Sequence, residues 1–99
     1  MQKYLALRKM VETQVEVLEE RVEALVGQQD LIVYNDDVNS FEHVIDSLIK
    51  VCNHEVEQAT QCTYIIHYKG KSQVKRGTYE TLEPMCTALL DRGISAEIE

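Results

Sequence analysis

The sequence predicts an α+β fold, a small three-stranded sheet with helices packed on one face, preceded by an N-terminal amphipathic helix. Three observations carry that prediction. Apolar residues recur at helical spacing in four stretches, short runs between them read as strands, and Gly, Pro and Asx residues punctuate the junctions. After the first helix the order is strand, helix, helix, strand, helix, strand, the mixture expected when helices cover one face of a small sheet.

Residues 1–26 place Tyr4, Leu7, Val11, Val15, Leu18, Val22 and Leu25 three and four apart, with Glu12, Glu16, Glu19, Glu20 and Glu23 mostly off that stripe. Gly27 follows as a C-cap. The average spacing is close to a heptad, so pairing with a second copy is one expectation; docking on the chain's own domain, or fraying in solution, is the other. Residues 1–30 are thus assigned to an N-terminal extension and residues 31–99 to the core domain.

Residues 31–34 read as a short strand bounded by polar turn residues. Asn39 or Ser40 caps the next helix, with Glu42 three residues beyond Asn39 as in a capping box. Phe41, Val44, Ile45, Leu48 and Cys52 then keep helical spacing until "CNHEVEQ" interrupts it. A further helix carries Val56, Ala59, Thr63 and Ile66 on one face to about His67, and Gly70-Lys71 ends it. "SQVKRGTY" reads as a strand. A proline is tolerated in a first helical turn, so Pro84 places the last helix's start near residues 82–84, with Met85, Leu89 and Leu90 as its apolar side. Gly93 closes that helix, and "ISAEIE" alternates as the final strand.

Composition narrows the function. The net charge of −7 leaves no basic footprint for a phosphate backbone, so nucleic acid is not an expected partner and cationic partners are favoured. No apolar run approaches the ~20 residues of a membrane span, and the N-terminus lacks a signal peptide's charged-then-apolar order. Cys52, Cys62 and Cys86 lack paired short spacing, which fits a reduced, cytoplasmic protein. His43, His54 and His67 share no ligand spacing with those cysteines, so neither a metal nor another cofactor is expected. Asp36, Asp37 and His67 are acid–base residue types, yet no nucleophile elbow or phosphate loop accompanies them, and the expectation is a protein without catalytic residues.

The densest pattern is "NDD" after the first strand, "FEHVIDSLIKV" as the following helix, "EQAT" in the next and "HYKGK" at that helix's end. With these residues the core, roughly residues 31–99, resembles the ClpS family of N-degron adaptors. That family is similar in fold to the C-terminal domain of the ribosomal stalk protein. The resemblance implies a non-catalytic adaptor that binds the first residue of a substrate protein and hands it to a ClpA- or ClpC-like AAA+ unfoldase with its ClpP peptidase. It implies α-amino binding by Asn35, Asp36, Asp37 and His67. It also implies a hydrophobic pocket of Tyr34, Asn39, Phe41, Val44, Thr63, Ile66 and Ile94, and an unfoldase contact at Glu80. Three departures stand out. Asn39-Ser40-Phe41 replaces the family's usual Thr-Pro-Met, the region between "GK" and the last helix is shortened, and residues 1–26 are helical rather than a flexible polar extension.

The chemistry of those residues suits a free N-terminus. Its ammonium offers up to three donors, which Asn35 and neutral His67 can accept, while Asp37, and Asp36 directly or through water, make the bonds charge-assisted. Singly, Asx residues build turns and caps and a histidine at a helix end pairs with the last carbonyls; the joint pattern is what points to a ligand. Phe41 stands where the family usually has a gating Met, so Leu, Phe, Tyr and Trp are expected as first residues, with Ile and Val rejected. The competing expectation is a stalk-like interaction module with a different protein partner, a fold with no reason to gather Asn35, Asp37 and His67.

Overall fold

The computed structural model describes the backbone of residues 2–99 and the side chains of residues 6–99 other than 20 and 23–26. The stripe residues Tyr4 and Leu25, with Glu20 and Glu23, therefore lie outside the described side chains. Among the described residues, four helices and three strands follow one another: α1 (Gln2–Val26), β1 (Gln28–Tyr34), α2 (Phe41–Cys52), α3 (Val56–Lys69), β2 (Lys71–Thr78), α4 (Tyr79–Asp91) and β3 (Ala96–Ile98). The sheet is antiparallel with β1 in the centre, in the order β2-β1-β3.

Period-two alternation puts Leu31 and Val33 of β1 on the helix-covered face, where both are buried, while Ile32 and Tyr34 are only partly so. Val44, Leu48 and Cys52 of α2, Ala59 and Ile66 of α3, and Leu82, Cys86 and Leu89 of α4 close over them. Each fully buried leucine contributes about 1.5–3 kcal/mol of transfer free energy. Leu31 pairs with Lys75 and Ile32 with Gln73, so Val74 is the extra residue of a bulge. The bulge turns Val74 into the core, and the buried His54 occupies its carbonyl, Nε2–H donating at 2.6 Å. That bond satisfies one nitrogen of the buried ring, while Nδ1 is buried without a hydrogen-bond partner.

Several boundaries differ from expectation. β1 begins at Gln28, since Gln28, Gln29 and Asp30 pair with Thr78, Gly77 and Arg76; backbone pairing extends the strand through polar residues. α4 begins at Tyr79 rather than near residues 82–84. Thr78 caps it by accepting the Thr81 N–H, and fully buried Leu82 anchors the first turns, so Pro84 sits inside the helix. The α2 cap is Ser40, whose Oγ accepts the His43 N–H, and the Asn39–Glu42 capping box does not form. Val56 and Leu90 face solvent: Val56 is the first residue of α3, before that helix reaches the sheet, and Leu90 lies a helical step off the Leu82–Cys86–Leu89 line.

α1 stands apart. Its described apolar residues Leu7, Val11, Val15, Leu18 and Val22 are all exposed, and among the described residues it shares no packed interface with the sheet or the other helices. No helix among the described residues is long and apolar enough to cross a membrane.

Candidate functional site

The site forms where β1 runs out. Asn35 donates its backbone N–H to the Gly70 carbonyl at 2.8 Å, tying the end of β1 to the end of α3. Gly70 adopts φ 91°, the left-handed cap that lets its own N–H close on Ile66 while the chain turns into β2. Asp36 then folds the next residues around its carboxylate. Oδ1 accepts the N–H groups of Val38 and Asn39 at 3.1 and 3.0 Å, and the Asn39 amide donates to both carboxylate oxygens at 2.9 and 2.8 Å.

The same Asn39 amide also donates to the Gly93 carbonyl at 2.9 Å, linking this loop to the turn between α4 and β3. That turn is itself clamped to α2. Arg92 donates to Ser47 Oγ at 2.7 Å and to Asp46 at 2.9 Å, and the Arg92 carbonyl accepts from His43 Nε2 at 2.8 Å. Ile94, almost fully buried, follows the clamped turn. Tyr34 is held on the remaining side, its hydroxyl donating to Glu99 and its ring 5.8 Å from the Lys71 ammonium.

These elements enclose a cavity of about 180 Å³. It is lined by Tyr34, Asn35, Asp36, Asp37, Asn39, Phe41, Val44, Thr63, Ile66, His67 and Ile94, so every residue assigned to the amine site or the pocket from sequence comes to one place. Val33 also lines it and escaped the sequence reading, although its alternation with Leu31 marked it as inward-facing. Glu80 is not among the lining residues; it is exposed in the first turn of α4. An apolar cavity of about 150 Å³ holds a benzene ring, so the volume suits one bulky side chain.

The lining is two-sided. Phe41, Val44, Ile66 and Ile94 supply apolar walls, whereas the Asn35, Asp37 and His67 side chains are exposed at the opening. Asp36 differs from Asp37. Partial burial works to raise its carboxyl, but hydrogen bonds from Asn39 and Val38, with one from Ser95, outweigh that and hold it below the usual carboxylate range. The Glu99 carboxylate that accepts the Tyr34 hydroxyl pushes that phenol up to about 12. Thr63 spends its hydroxyl on the Ala59 carbonyl at 2.8 Å, leaving its methyl as the apolar part of the side chain. No group of three or more His, Cys, Asp or Glu suited to a metal ion occurs among the described residues.

Sequence reasoning missed the rim. Phe41 and His67 meet edge-to-face with ring centroids 5.0 Å apart, and each contacts a tyrosine outside the cavity, Phe41–Tyr64 at 5.2 Å and His67–Tyr68 at 5.1 Å. Tyr64 and Tyr68 stack on each other at 6.2 Å with planes 10° apart. Their i, i+4 spacing was the available signal.

Residues 27–97 match the family model described as ATP-dependent Clp protease adaptor protein ClpS. The ClpS adapter proteins of Salmonella gallinarum and of an Escherichia coli strain are each 45% identical over 42 residues, a stretch that is 42% of this chain and 40% of theirs. The matched stretch thus spans well under half the length of these curated relatives. Among solved structures, Agrobacterium tumefaciens ClpS2 bound to L-phenylalaninamide superimposes with a TM-score of 0.67 at 18% identity, covering 74% of this chain and 98% of that one. At that identity the likeness is one of fold.

Proposed function

The chain belongs to the ClpS family of ATP-dependent Clp protease adaptors, and from that premise we propose that it binds the free N-terminal residue of N-degron substrates and delivers them to a Clp AAA+ unfoldase with ClpP. One observation carries the reading: an amine-seeking edge and a one-side-chain cavity share an opening. Asn35, Asp37 and His67 are the direct partners of the α-amino group. Asp36, its oxygens occupied by Val38 and Asn39, acts by shaping the loop and by its charge. Tyr34, Asn39, Phe41, Val44, Thr63, Ile66 and Ile94 receive the first side chain. The ligand of the A. tumefaciens structure, a free amine beside an aromatic side chain, has the chemistry this site requires.

Burying a Leu or Phe side chain is worth about 2–3 kcal/mol, and each charge-assisted bond to the amine adds roughly 1.5–3 kcal/mol before ordering costs. No residue is assigned a catalytic role. The unfoldase partner is ClpA-like or ClpC-like, and Glu80, exposed at the start of α4, is the proposed contact. Three free cysteines support a cytoplasmic setting. A second partner is another copy of the chain, met through α1, whose exposed apolar stripe lacks a packed neighbour among the described residues.

The test is direct binding of fluorescent peptides that differ only at their first residue. Leu and Phe peptides are expected to bind, Ile and acetyl-Leu peptides to fail, and Asp37→Ala to lose at least tenfold with its circular dichroism unchanged. Undiminished binding by Asp37→Ala removes the amine assignment. No binding by any peptide favours a stalk-like interaction module instead.

A further inference from the structure

The cavity accounts for only half of the aromatic surface beside it. Phe41, Tyr64, Tyr68 and His67 form a closed circuit of four rings, with successive centroids 5.2, 6.2, 5.1 and 5.0 Å apart. Phe41 and His67 are the edge that lines the cavity; Tyr64 and Tyr68, 47% and 76% exposed, are the edge that does not. The two tyrosine rings stack near-parallel and open to water, and Ile65 beside them is 42% exposed. The rims differ in kind. The loop side offers the Asp37 carboxylate and the exposed Val38, whereas the α3 side offers a continuous ring surface running outward from the opening.

We infer that Tyr64 and Tyr68 form a shelf for the second residue of the bound substrate and give this adaptor a preference for an aromatic residue there. The inference rests on the adaptor reading above. With the first side chain in the cavity, the next Cα lies about 3.8 Å further along the chain, and the shelf ring centroids lie 5.2 Å from Phe41 and 5.1 Å from His67. A second side chain that leans over the α3 rim, away from the loop that carries Val38, therefore meets the tyrosines. The partner is the planar face of a Phe, Tyr or Trp side chain, because offset or edge-to-face packing against Tyr64 and Tyr68 gives it a gain that an aliphatic chain lacks.

Binding is compared for peptides beginning Leu-Ala, Leu-Phe and Leu-Trp, on the full chain and on the Tyr64→Ala/Tyr68→Ala and Tyr64→Phe/Tyr68→Phe double variants. The expectation is roughly three- to tenfold tighter binding of Leu-Phe and Leu-Trp than of Leu-Ala. That ratio collapses to one in the Ala variant and survives in the Phe variant. Equal affinities for Leu-Phe and Leu-Ala on the unaltered chain overturn the shelf while leaving the adaptor reading in place. So does a ratio that persists in the Ala variant. Failure of every peptide, Leu-Ala included, overturns the adaptor reading and the shelf with it.

Discussion

α1 and α2 carry the same kind of apolar stripe and end in opposite situations. Val44, Leu48 and Cys52 of α2 vanish beneath β1, α3 and α4, while Val11, Val15, Leu18 and Val22 of α1 stay 47–61% exposed. Their charges differ as well. α2 has Glu42 in its first turn and Lys50 in its last, which complements the helix dipole; α1 has no acidic residue in its first turn and no basic one in its last. In sequence, Lys3, Arg8 and Lys9 precede the run Glu12, Glu16, Glu19, Glu20 and Glu23, so α1 is charged against its own dipole. Most helical stability in proteins comes from packing of an amphipathic face, and a helix with this charge order gains nothing from its ends. Periodicity thus specifies a face without specifying what covers it.

The sharpest way to break this contrast is to remove one leucine from each region. Leu82→Ala deletes a fully buried side chain and should cost about 2–5 kcal/mol of unfolding free energy. Leu18→Ala, on an exposed face, should leave denaturant unfolding of the domain within about 0.5 kcal/mol of the unaltered chain. Comparable losses at the two positions mean that α1 docks on its own domain after all.

Much of the domain was legible because its signals agree. Alternation in β1, helical spacing in α2 and α3, and Gly70 and Gly93 at positive φ all point to one fold. The errors fell where two local rules competed. Pro84 argued for a late start to α4, and burial of Leu82 with the Thr78 cap overrode it. The gathering of site residues was legible through family pattern, but their division of labour was not. Nothing in "NDD" says that the first aspartate is tied up by Val38 and Asn39 while the second is left at the opening. That difference depends on which way successive side chains point, and it appears only once the loop is built.

A second test asks what covers α1. Charge order favours an antiparallel second copy, since the Lys3–Lys9 end of one helix then lies along the glutamate-rich end of the other and the dipoles oppose. The register that overlays the two apolar stripes, Tyr4 to Leu25 in sequence, sets Leu7 beside the partner's Val22 and Val11 beside the partner's Leu18. Sedimentation equilibrium should show a concentration-dependent dimer that Leu18→Glu abolishes. Chains carrying Leu7→Cys should cross-link with chains carrying Val22→Cys and not with one another. Like-with-like cross-linking indicates a parallel pair, and a monomer at every concentration removes the self-association proposal.

The smallest expected effect contrasts one carboxylate from each region. Asp36 is built into the cavity loop and its folded-state carboxyl lies below the ordinary value of 3.8, whereas Glu19 sits on an exposed helix face. A depressed carboxyl stabilises the fold above its unfolded value, and that contribution disappears as the pH falls through the folded value. Asp36→Asn should therefore lower the melting temperature modestly at pH 7, with the deficit shrinking as the pH drops below about 3.8, the window set by the direction of the shift. Glu19→Gln should change domain melting at neither pH. A deficit for Asp36→Asn that is the same at pH 7 and pH 3 shows that the substitution acts through shape rather than charge. In that case the loop owes its form to the hydrogen-bond geometry around Val38 and Asn39, and the negative charge at Asp36 serves the ligand alone.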